Sequence, residues 1–426
     1  MLTLVLFGSL LFFLVLSVPV GIALGLAVVS TILYDGGLEL SYLAQGMTTT
    51  LDSFPLMAVP FFILAGELMG KGGISKRLLR AANLFFGKFT GGLALVAIAA
   101  CMFFAAISGS APATVAAIGG IIVPEMLDKG YSRKFSAGLI ATAGTIGVVI
   151  PPSIPMVIYG VATGASISNM FIAGFLPGFL IGGILMGLAY SIARKNGYLG
   201  SAQVYTKEER RAIMREARWS LLVPVIVLGG IYGGVFTPTE AAAVAVIYGF
   251  VVGMFVYKDL TWRDLPTLLC NAALITATSM IVMGTATTFG RILTIEQIPV
   301  RLAEGILSYS SNPVVVIGLI NILLLFVGCF MDTLAAIIIL APILWPVAQA
   351  VGFDIYHFGM IMVVNLAVGF ITPPLGVNLF VTCGIAKMSL EDVVKAIVPW
   401  LIAMLAALGL LTAFPCISLW LPSLLK

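Results

Sequence analysis

The sequence predicts an all-α, multi-pass membrane protein with two related halves. Apolar residues make up 61% of its 426 residues and charged residues 9%, whereas soluble domains are about a quarter charged. Tandem prolines interrupt an apolar segment at positions 151–152 and again at 373–374, 222 positions later. Two other long apolar segments are interrupted near their middle by small or polar residues. These paired interruptions indicate that the chain repeats one structural unit.

We interpret ten apolar segments as membrane spans, which need about 20 residues but can be shorter. The predicted spans are 2–18, 20–34, 48–70, 135–160, 170–193, 219–236, 239–257, 266–290, 358–386 and 393–413. No basic residue occurs before Lys71, so we interpret the first segment as a span and not as a cleaved signal peptide.

The double prolines break two of these spans. A proline inside a helix removes a backbone hydrogen bond and disfavours helical geometry at the preceding residue. Non-helical backbone at membrane depth persists only where it is buried in protein or lines a cavity. We therefore predict broken helices over about 135–160 and 358–386. Such a pair, at corresponding positions of two halves, is typical of the central site of a transporter.

The stretches 91–126 and 312–350 each hold enough apolar sequence for two helices. Their interruptions, at 108–112 and 328–333, contain Gly, Ser, Pro and Asp, which end or begin helices. We predict that both are re-entrant helical hairpins, which enter and leave the membrane on the same face. Two ordinary spans joined by a tight loop are the alternative.

Charge predicts the orientation in the membrane. With this topology, 19 of the 22 Lys and Arg residues lie on one face, and the other face receives only Arg291, Arg301 and Lys426. By the positive-inside rule the first face is cytoplasmic, and both termini are predicted to be periplasmic. The alternative reading of the hairpins gives the same loop sides, so charge does not decide between them.

Residues 1–193 and 219–426 are predicted to be two repeats. Prolines and glycines recur at offsets of 218 to 222: Pro19 with Pro238, Gly66 with Gly284, Pro124 with Pro342, and Pro177 with Pro399. Each repeat has five spans and one hairpin, so the second repeat must insert upside down. The segment 194–218, with seven basic and three acidic residues, is predicted to be the cytoplasmic linker. Inverted repeats with broken helices are typical of secondary transporters.

An amphipathic stretch follows the third span of each repeat, at 74–86 and 295–307. In the first stretch, basic residues share one side and leucines and phenylalanines the other, a pattern typical of helices that lie at the membrane interface. Such a symmetric pair is suited to clamp a moving unit. An ordinary loop helix is the alternative for each stretch.

Four motifs follow one another along the chain in the order of a known family. They are SGSAPAT at 108–114, GVVIPPS at 147–153, MDT at 331–333 and GFITPPLGVN at 369–378. They resemble the large membrane subunit of TRAP transporters, the tripartite ATP-independent periplasmic transporters, and the resemblance covers essentially the whole chain. It implies an elevator-type secondary transporter in the bacterial inner membrane.

The resemblance also implies a substrate class and partners. Such a protein imports carboxylated solutes, such as C4-dicarboxylates or sialic acid, and is driven by sodium. A soluble periplasmic binding protein delivers the solute, and a small membrane subunit completes the complex. Because this chain starts directly at the large subunit, the small subunit is expected to be a separate chain.

The residue chemistry agrees with sodium as the coupling ion, and no cofactor is predicted. A hairpin tip that faces a broken helix offers carbonyl and hydroxyl oxygens to a cation. One predicted sodium site comprises Ser108, Gly109, Ser110, Thr114, Thr145, Gly147 and Pro151. The other comprises Gly328, Asp332, Thr333, Thr372, Pro373, Gly376 and Asn378. A hydrogen bond to the preceding helical turn is the alternative for each hydroxyl.

The predicted substrate ligands are Ser108, Ser110, Ser153, Asp332 and Asn378. No arginine lies within a mid-bilayer segment, so helix N-termini and hydroxyls are expected to hold the carboxylate. A carboxylate such as Asp332 costs about 2.5–3.5 kcal/mol near mid-bilayer and needs a partner. That partner is a cation or the substrate, or else Asp332 only caps a helix. Arg291 is interpreted as an interfacial anchor, with contact to the delivering protein as the alternative.

Other functional classes fit the sequence less well. An ATP-driven pump is disfavoured because no G-x-x-x-x-G-K-[ST] motif occurs. A hydrolase is disfavoured because the single histidine, His357, is placed in an external loop, and the five cysteines lack metal-site spacing. The chain is therefore not expected to be an enzyme. A channel is the alternative to a transporter, because re-entrant hairpins also build selectivity filters.

Overall fold

The computed structural model describes residues 1–37, 39–200, 205–298, 300–301, 304–305 and 312–424. Within these ranges the regular secondary structure is entirely helical. Eight of the described helices are long and apolar enough to cross a membrane. The prediction of an all-α, multi-pass membrane protein is therefore confirmed.

The first half of the chain forms ten helices within the described ranges. They are α1 Leu2–Val15, α2 Val20–Asp35, α3 Ser41–Leu51, α4 Ala58–Lys71, α5 Ile74–Phe86, α6 Gly92–Ser108, α7 Ala111–Asp128, α8 Arg133–Ala143, α9 Ile154–Thr163 and α10 Ile167–Lys195. Helix α7 contains a π-helical turn at Val115–Gly119.

The second half continues the series. Its helices are α11 Lys207–Tyr232, α12 Pro238–Val256, α13 Leu265–Ile295, α14 Pro313–Phe330, α15 Thr333–Ala350, α16 Ile355–Gly369, α17 Val377–Ala386, α18 Leu390–Ala413 and α19 Cys416–Leu424. The order of short and long helices from α6 to α10 recurs from α14 to α18.

One predicted boundary needs correction, and the predicted linker has helical structure. The predicted span 48–70 is two helices, because Pro55 disfavours helical geometry at Phe54 and a short 3-10 turn over Phe54–Met57 separates α3 from α4. Within the predicted linker 194–218, α10 reaches Lys195 and α11 begins at Lys207. Thr206 caps α11 through a capping box with Glu209.

The placement of His357 in a loop was also wrong. His357 lies in the first turn of α16, is 1% exposed, and its Nδ1 is 2.7 Å from the hydroxyl of Ser418 in α19. The side chain of Asp354 caps this helix by accepting from the backbone N–H of Tyr356 at 2.8 Å. The histidine therefore joins α16 to α19.

The first amphipathic stretch is helix α5, which packs against α6 and α11. Arg77 forms an ion pair with Asp259, and Arg80 lies 3.5 Å from Glu216 of α11. These pairs join α5 to the second half of the chain. The second stretch, 295–307, lies partly outside the described residues.

Apart from α5, which contacts both, the described helices pack in two groups. The frame consists of α1–α4 and α11–α13, in which α4 packs on α12 and α13 on α2. The hairpin group consists of α6–α10 and α14–α19, in which α8 packs on α18, α9 on α15 and α14 on α16. Both predicted hairpins and both broken helices belong to the hairpin group. We therefore expect the functional site where this group faces the frame.

Candidate functional site

The hairpin tips and helix breaks form where the sequence predicts them. Helix α6 ends at Ser108 and α7 begins at Ala111, while α14 ends at Phe330 and α15 begins at Thr333. Gly109 has φ +59°, a left-handed conformation that favours glycine and reverses the chain at the first tip.

Both broken helices are interrupted at their double prolines. Helix α8 passes into a 3-10 turn at Gly144–Val148 before α9 starts at Ile154, and α16 ends at Gly369 before α17 starts at Val377. The Pro151–Pro152 and Pro373–Pro374 peptide bonds are both cis.

One backbone hydrogen bond joins each tip to the break of its own half. The N–H of Ile154 donates to the carbonyl of Gly109 at 3.3 Å, and the N–H of Leu375 donates to the carbonyl of Cys329 at 3.1 Å. Each tip therefore lies against a break, as predicted, and the two halves use the same contact.

The first tip gathers three oxygen atoms. The hydroxyls of Ser108 and Thr114 are 3.0 Å apart, and Thr114 donates to the carbonyl of Ser110 at 2.8 Å. A Cβ atom at Gly147 would lie 2.5 Å from both that carbonyl and the Thr114 hydroxyl. The break thus approaches the oxygen atoms closely only because residue 147 is glycine. We call Ser108, Ser110, Thr114 and Gly147 the first oxygen cluster.

Three other predicted residues of the first half do not place a side chain in this cluster. The hydroxyl of Thr145 donates to the carbonyl of Thr142 at 2.7 Å and lies 3.8 Å from the sulfur of Met404 in α18. The hydroxyl of Ser153 donates to the carbonyl of Val148 at 2.6 Å and caps α9. Pro151 is buried within the break.

The second tip is built around Asp332. Its carboxylate caps α15 by accepting from the N–H of Leu334 at 2.9 Å, so capping is one role of this residue. Gly328, Asp332, Thr333 and Gly376 line a cavity of about 10 Å³, close to the smallest volume that holds one water-sized group. We call these four residues the second oxygen cluster.

The other predicted residues of the second half have different side-chain contacts. The hydroxyl of Thr372 donates to the carbonyl of Val368 at 2.8 Å, the bond to the preceding turn that was the alternative. Pro373 is half-buried at the break. The side chain of Asn378 donates to the carbonyl of Ala141 in α8 at 2.9 Å, and its own oxygen is buried without a hydrogen-bond partner in the described structure. The side chain of Asn378 thus joins the second break to α8 of the first half.

Both tips open into one central cavity of about 800 Å³ between the frame and the hairpin group. Ser110 and Pro112 line it from the first tip, and Asp332 and Leu334 line it from the second. Its frame wall consists of Pro19, Val20, Gly21, Ile22, Ile63, Leu274, Ile275, Thr278, Ser279, Ile281 and Val282. The volume is within the range of about 300–1,000 Å³ for sites that hold small molecules.

Of the predicted substrate ligands, Ser110 and Asp332 line this cavity, whereas Ser108, Ser153 and Asn378 are buried behind it. Sequence reasoning missed Thr278 and Ser279 of α13, which are two polar groups of the opposite wall. The hydroxyl run at 276–279 was the available signal, but it sits in an unbroken span and so did not mark a site.

The geometry is that of a membrane protein with a central site between paired hairpins, and the family comparison agrees with it. The family described as "Tripartite ATP-independent periplasmic transporter, DctM component" matches residues 7–417. The chain belongs to this family. It is therefore a large permease component of a TRAP transporter and not an enzyme, as predicted.

Individual relatives cover most of the chain. The isethionate TRAP transporter permease protein DctMQ of Oleidesulfovibrio alaskensis is 49% identical over 98% of this chain, which spans 66% of that relative's length. The C4-dicarboxylate TRAP transporter large permease protein DctM of Vibrio cholerae is 42% identical, over 96% of this chain and 95% of its own. The sialic acid TRAP transporter large permease protein SiaM of the same organism is 39% identical, over 95% of each chain.

The fold also resembles that of a solved transporter. The crystal structure of the YdaH transporter of Alcanivorax borkumensis matches with a TM-score of 0.67, 16% identity, and 88% of each chain covered. At this identity the match concerns the fold alone.

Proposed function

We propose that this TRAP permease imports small carboxylated solutes of the C4-dicarboxylate or sialic acid class and couples their uptake to sodium. The observation that carries the proposal is the central cavity, in which both hairpin tips meet opposite the frame. A site between paired broken helices and hairpins is typical of secondary transporters. The named solutes of the C4-dicarboxylate and sialic acid relatives support the substrate class.

Sodium fits the chemistry of both oxygen clusters. Unwound backbone carbonyls and hydroxyls coordinate Na⁺ in transporters with broken helices. The first cluster offers neutral oxygens from Ser108, Ser110 and Thr114, while the second adds the carboxylate of Asp332. In the described part of the chain, no group of three or more His, Cys, Asp or Glu residues could hold a metal ion. These oxygens therefore suit a weakly held coupling ion better than a tightly bound metal.

The substrate is proposed to bind in the central cavity beside both tips. Ser110 caps α7 and Asp332 caps α15, so two helix N-termini point at the cavity from its two sides. Backbone N–H groups and the helix dipole attract an anion at such an end. A bound sodium at the second cluster offsets the charge of Asp332, so that ion and anion bind together.

We further propose that the two halves, 1–193 and 219–426, are inverted repeats joined by the cytoplasmic segment 194–218. The matching contacts of Gly109 with Ile154 and of Cys329 with Leu375 support this symmetry. The distribution of basic residues supports an inner-membrane orientation with both termini in the periplasm.

The division into frame and hairpin group suits an elevator mechanism. The hairpin group would carry both oxygen clusters and the substrate across the membrane, while the frame stays in place. A separate small membrane subunit and a periplasmic binding protein are the proposed partners. The DctMQ relative supports the first of these, because it is longer than the region that it shares with this chain.

The test is uptake into proteoliposomes that hold this chain with the small membrane subunit and receive solute from the loaded binding protein. An inward sodium gradient should drive accumulation of radiolabelled succinate or N-acetylneuraminate. Equal uptake when potassium or choline replaces sodium, in the presence of a proton gradient, contradicts sodium coupling. Flux that never exceeds equilibration under any gradient indicates a channel.

A further inference from the structure

A second cavity, of about 350 Å³, lies between the frame and the hairpin group and shares no lining residue with the central cavity. The frame contributes residues of α3, α13 and the turn before α4, and the hairpin group contributes residues of α9 and α15. Its lining residues are Thr49, Thr50, Ser53, Leu56, Ile158, Val161, Ala162, Met283, Thr287, Gly290, Arg291, Thr294, Ile338 and Pro342. By the charge-based orientation these segments are at the periplasmic side of the protein. We call this space the outer cavity.

Arg291 is the one charged side chain among the residues that line the outer cavity. Its Nη2 donates to the hydroxyl of Thr49 in α3 at 3.2 Å, across the cavity rim from its own helix. Among the described residues, no carboxylate lies within ion-pair distance of the guanidinium. This geometry differs from that of an interfacial anchor, whose guanidinium extends along its own helix to the lipid headgroups.

Three hydroxyl groups of the outer cavity are available as hydrogen-bond acceptors. Thr50, Thr287 and Thr294 each donate to a carbonyl of the preceding turn, at 2.7, 2.9 and 3.0 Å. Their oxygens can therefore accept, while the N–H donors come from Arg291, whose planar fork matches a carboxylate. The cavity thus combines one cation for a carboxylate with acceptors for hydroxyl or amide groups of the same solute.

The outer cavity is in series with the central cavity. On α13, Val282 lines the central cavity and the next residue, Met283, lines the outer one. On α15, Leu334 and Ile338 line the two cavities one helical turn apart, a rise of about 6 Å. A solute that leaves the outer cavity toward the membrane centre therefore meets the central cavity next.

We propose that the outer cavity is a receiving site, in which Arg291 binds the carboxylate of the incoming solute before it moves to the central cavity. The identity of the solute class rests on the proposed function above, whereas the anion preference of the cavity does not. Binding here is transient, since one guanidinium holds the anion and the central site takes over. The site favours anions at the entrance and does not contribute to the sodium clusters.

Thiol-reagent labelling tests the anion preference without a transported solute. Thr294→Cys, in a background that lacks the five natural cysteines, places a thiol beside Arg291. The thiol reacts with an anionic, sulfonate-bearing methanethiosulfonate and with a cationic, trimethylammonium-bearing one. The measured quantity is the ratio of the anionic to the cationic reaction rate. Arg291→Gln should lower this ratio at least about fivefold, and Arg291→Lys should leave it within about twofold. The matched control is Arg301→Gln, which removes the same charge from the same predicted face but lines neither cavity.

Uptake kinetics test the receiving role. With a solute that the wild type accumulates, Arg291→Gln should raise KM at least about fivefold while kcat changes less than about twofold, and Arg301→Gln should change neither. An unchanged labelling ratio in Arg291→Gln, or an equal fall in Arg301→Gln, overturns the proposal. An unchanged KM of Arg291→Gln, for a solute that the wild type accumulates, also overturns it. If the wild type itself shows no sodium-driven uptake, the proposed function is contradicted. The labelling ratio then still decides whether the outer cavity prefers anions.

Discussion

The two tip and break pairs share a backbone plan but differ in packing and in charge. Around the first pair, every residue from Pro151 to Gly160 is buried, and the oxygens of the first cluster bond one another. At the second pair, Leu375 is 41% exposed and the cluster contains the carboxylate of Asp332 beside a small cavity. One plan has thus produced a tightly packed neutral site and a less tightly packed charged site.

This difference predicts different sensitivities. A tightly packed site whose oxygens lie against a glycine tolerates no added volume, because the packed surroundings cannot move away. A less tightly packed site with a carboxylate tolerates small changes of shape but depends on its charge. Substitutions that change only volume, or only charge, therefore separate the two clusters.

Gly147→Ala should have the largest effect. The added Cβ would lie 2.5 Å from the carbonyl of Ser110 and the hydroxyl of Thr114, so the break must move away from the first tip. Uptake should fall at least about a hundredfold, equivalent to roughly 2.7 kcal/mol. Gly183→Ala is the matched control, since its Cβ would meet no atom within 4 Å, and it should transport within about twofold of wild type. Initial rates at equal protein content, with a melting temperature for each variant, check the result. Normal uptake by Gly147→Ala would remove the first cluster from the mechanism.

Asp332→Asn should have the next largest effect. The amide keeps the shape and much of the capping ability but removes the charge, so transport should fall at least about tenfold, roughly 1.4 kcal/mol, with near-normal expression. Asp354→Asn is the matched control, because Asp354 caps α16 in the same way but lines neither the central nor the outer cavity. Initial uptake rates of the two variants give the comparison. If both behave like wild type, capping alone explains Asp332.

A pair of threonines tests the neutral site more finely. Thr114→Val removes a hydroxyl of the first cluster at nearly constant shape, and the sodium concentration for half-maximal uptake should rise about fivefold. Thr145→Val removes a hydroxyl that bonds the carbonyl of Thr142 and the sulfur of Met404, both outside the first cluster, and the change should be less than about twofold. Sodium titrations of uptake measure both. Equal shifts would mean that the three-oxygen geometry does not define the sodium site.

The smallest expected signal concerns movement of the hairpin group. A cysteine at Ser110, in a background without the five natural cysteines, should change its labelling rate by a membrane-impermeant thiol reagent about threefold when sodium and substrate are added. A cysteine at Lys76 of α5 should not change. Invariant labelling at both positions in every condition is incompatible with an elevator.

Much of the site was predictable because its backbone is determined locally. Proline removes a donor and glycine permits left-handed geometry, so the tips at Gly109 and Asp332 and both breaks appear at the predicted residues. The same signal at Pro55 divides α3 from α4, but the apolar residues on both sides concealed it within one predicted span.

Side-chain directions were not predictable, because they depend on helices distant in sequence. Asn378 turns to the carbonyl of Ala141, and Thr145 faces Met404, although both were predicted as cation ligands. The hydrogen bond from Arg291 to Thr49 in α3 likewise joins residues 242 positions apart in sequence. Local sequence indicates where helices end, but only the packing of the two halves shows which groups face a common space.

The dependence of the uptake rate on sodium concentration tests the central claim most directly. If both oxygen clusters bind sodium during transport, the initial rate in proteoliposomes should rise sigmoidally, with a Hill coefficient above about 1.3 and not above about 2. In Asp332→Asn, which leaves the neutral cluster intact, the residual uptake should become hyperbolic. A hyperbolic curve for the wild type, or a rate independent of sodium, would contradict the assignment of two sodium sites to the two tip and break pairs.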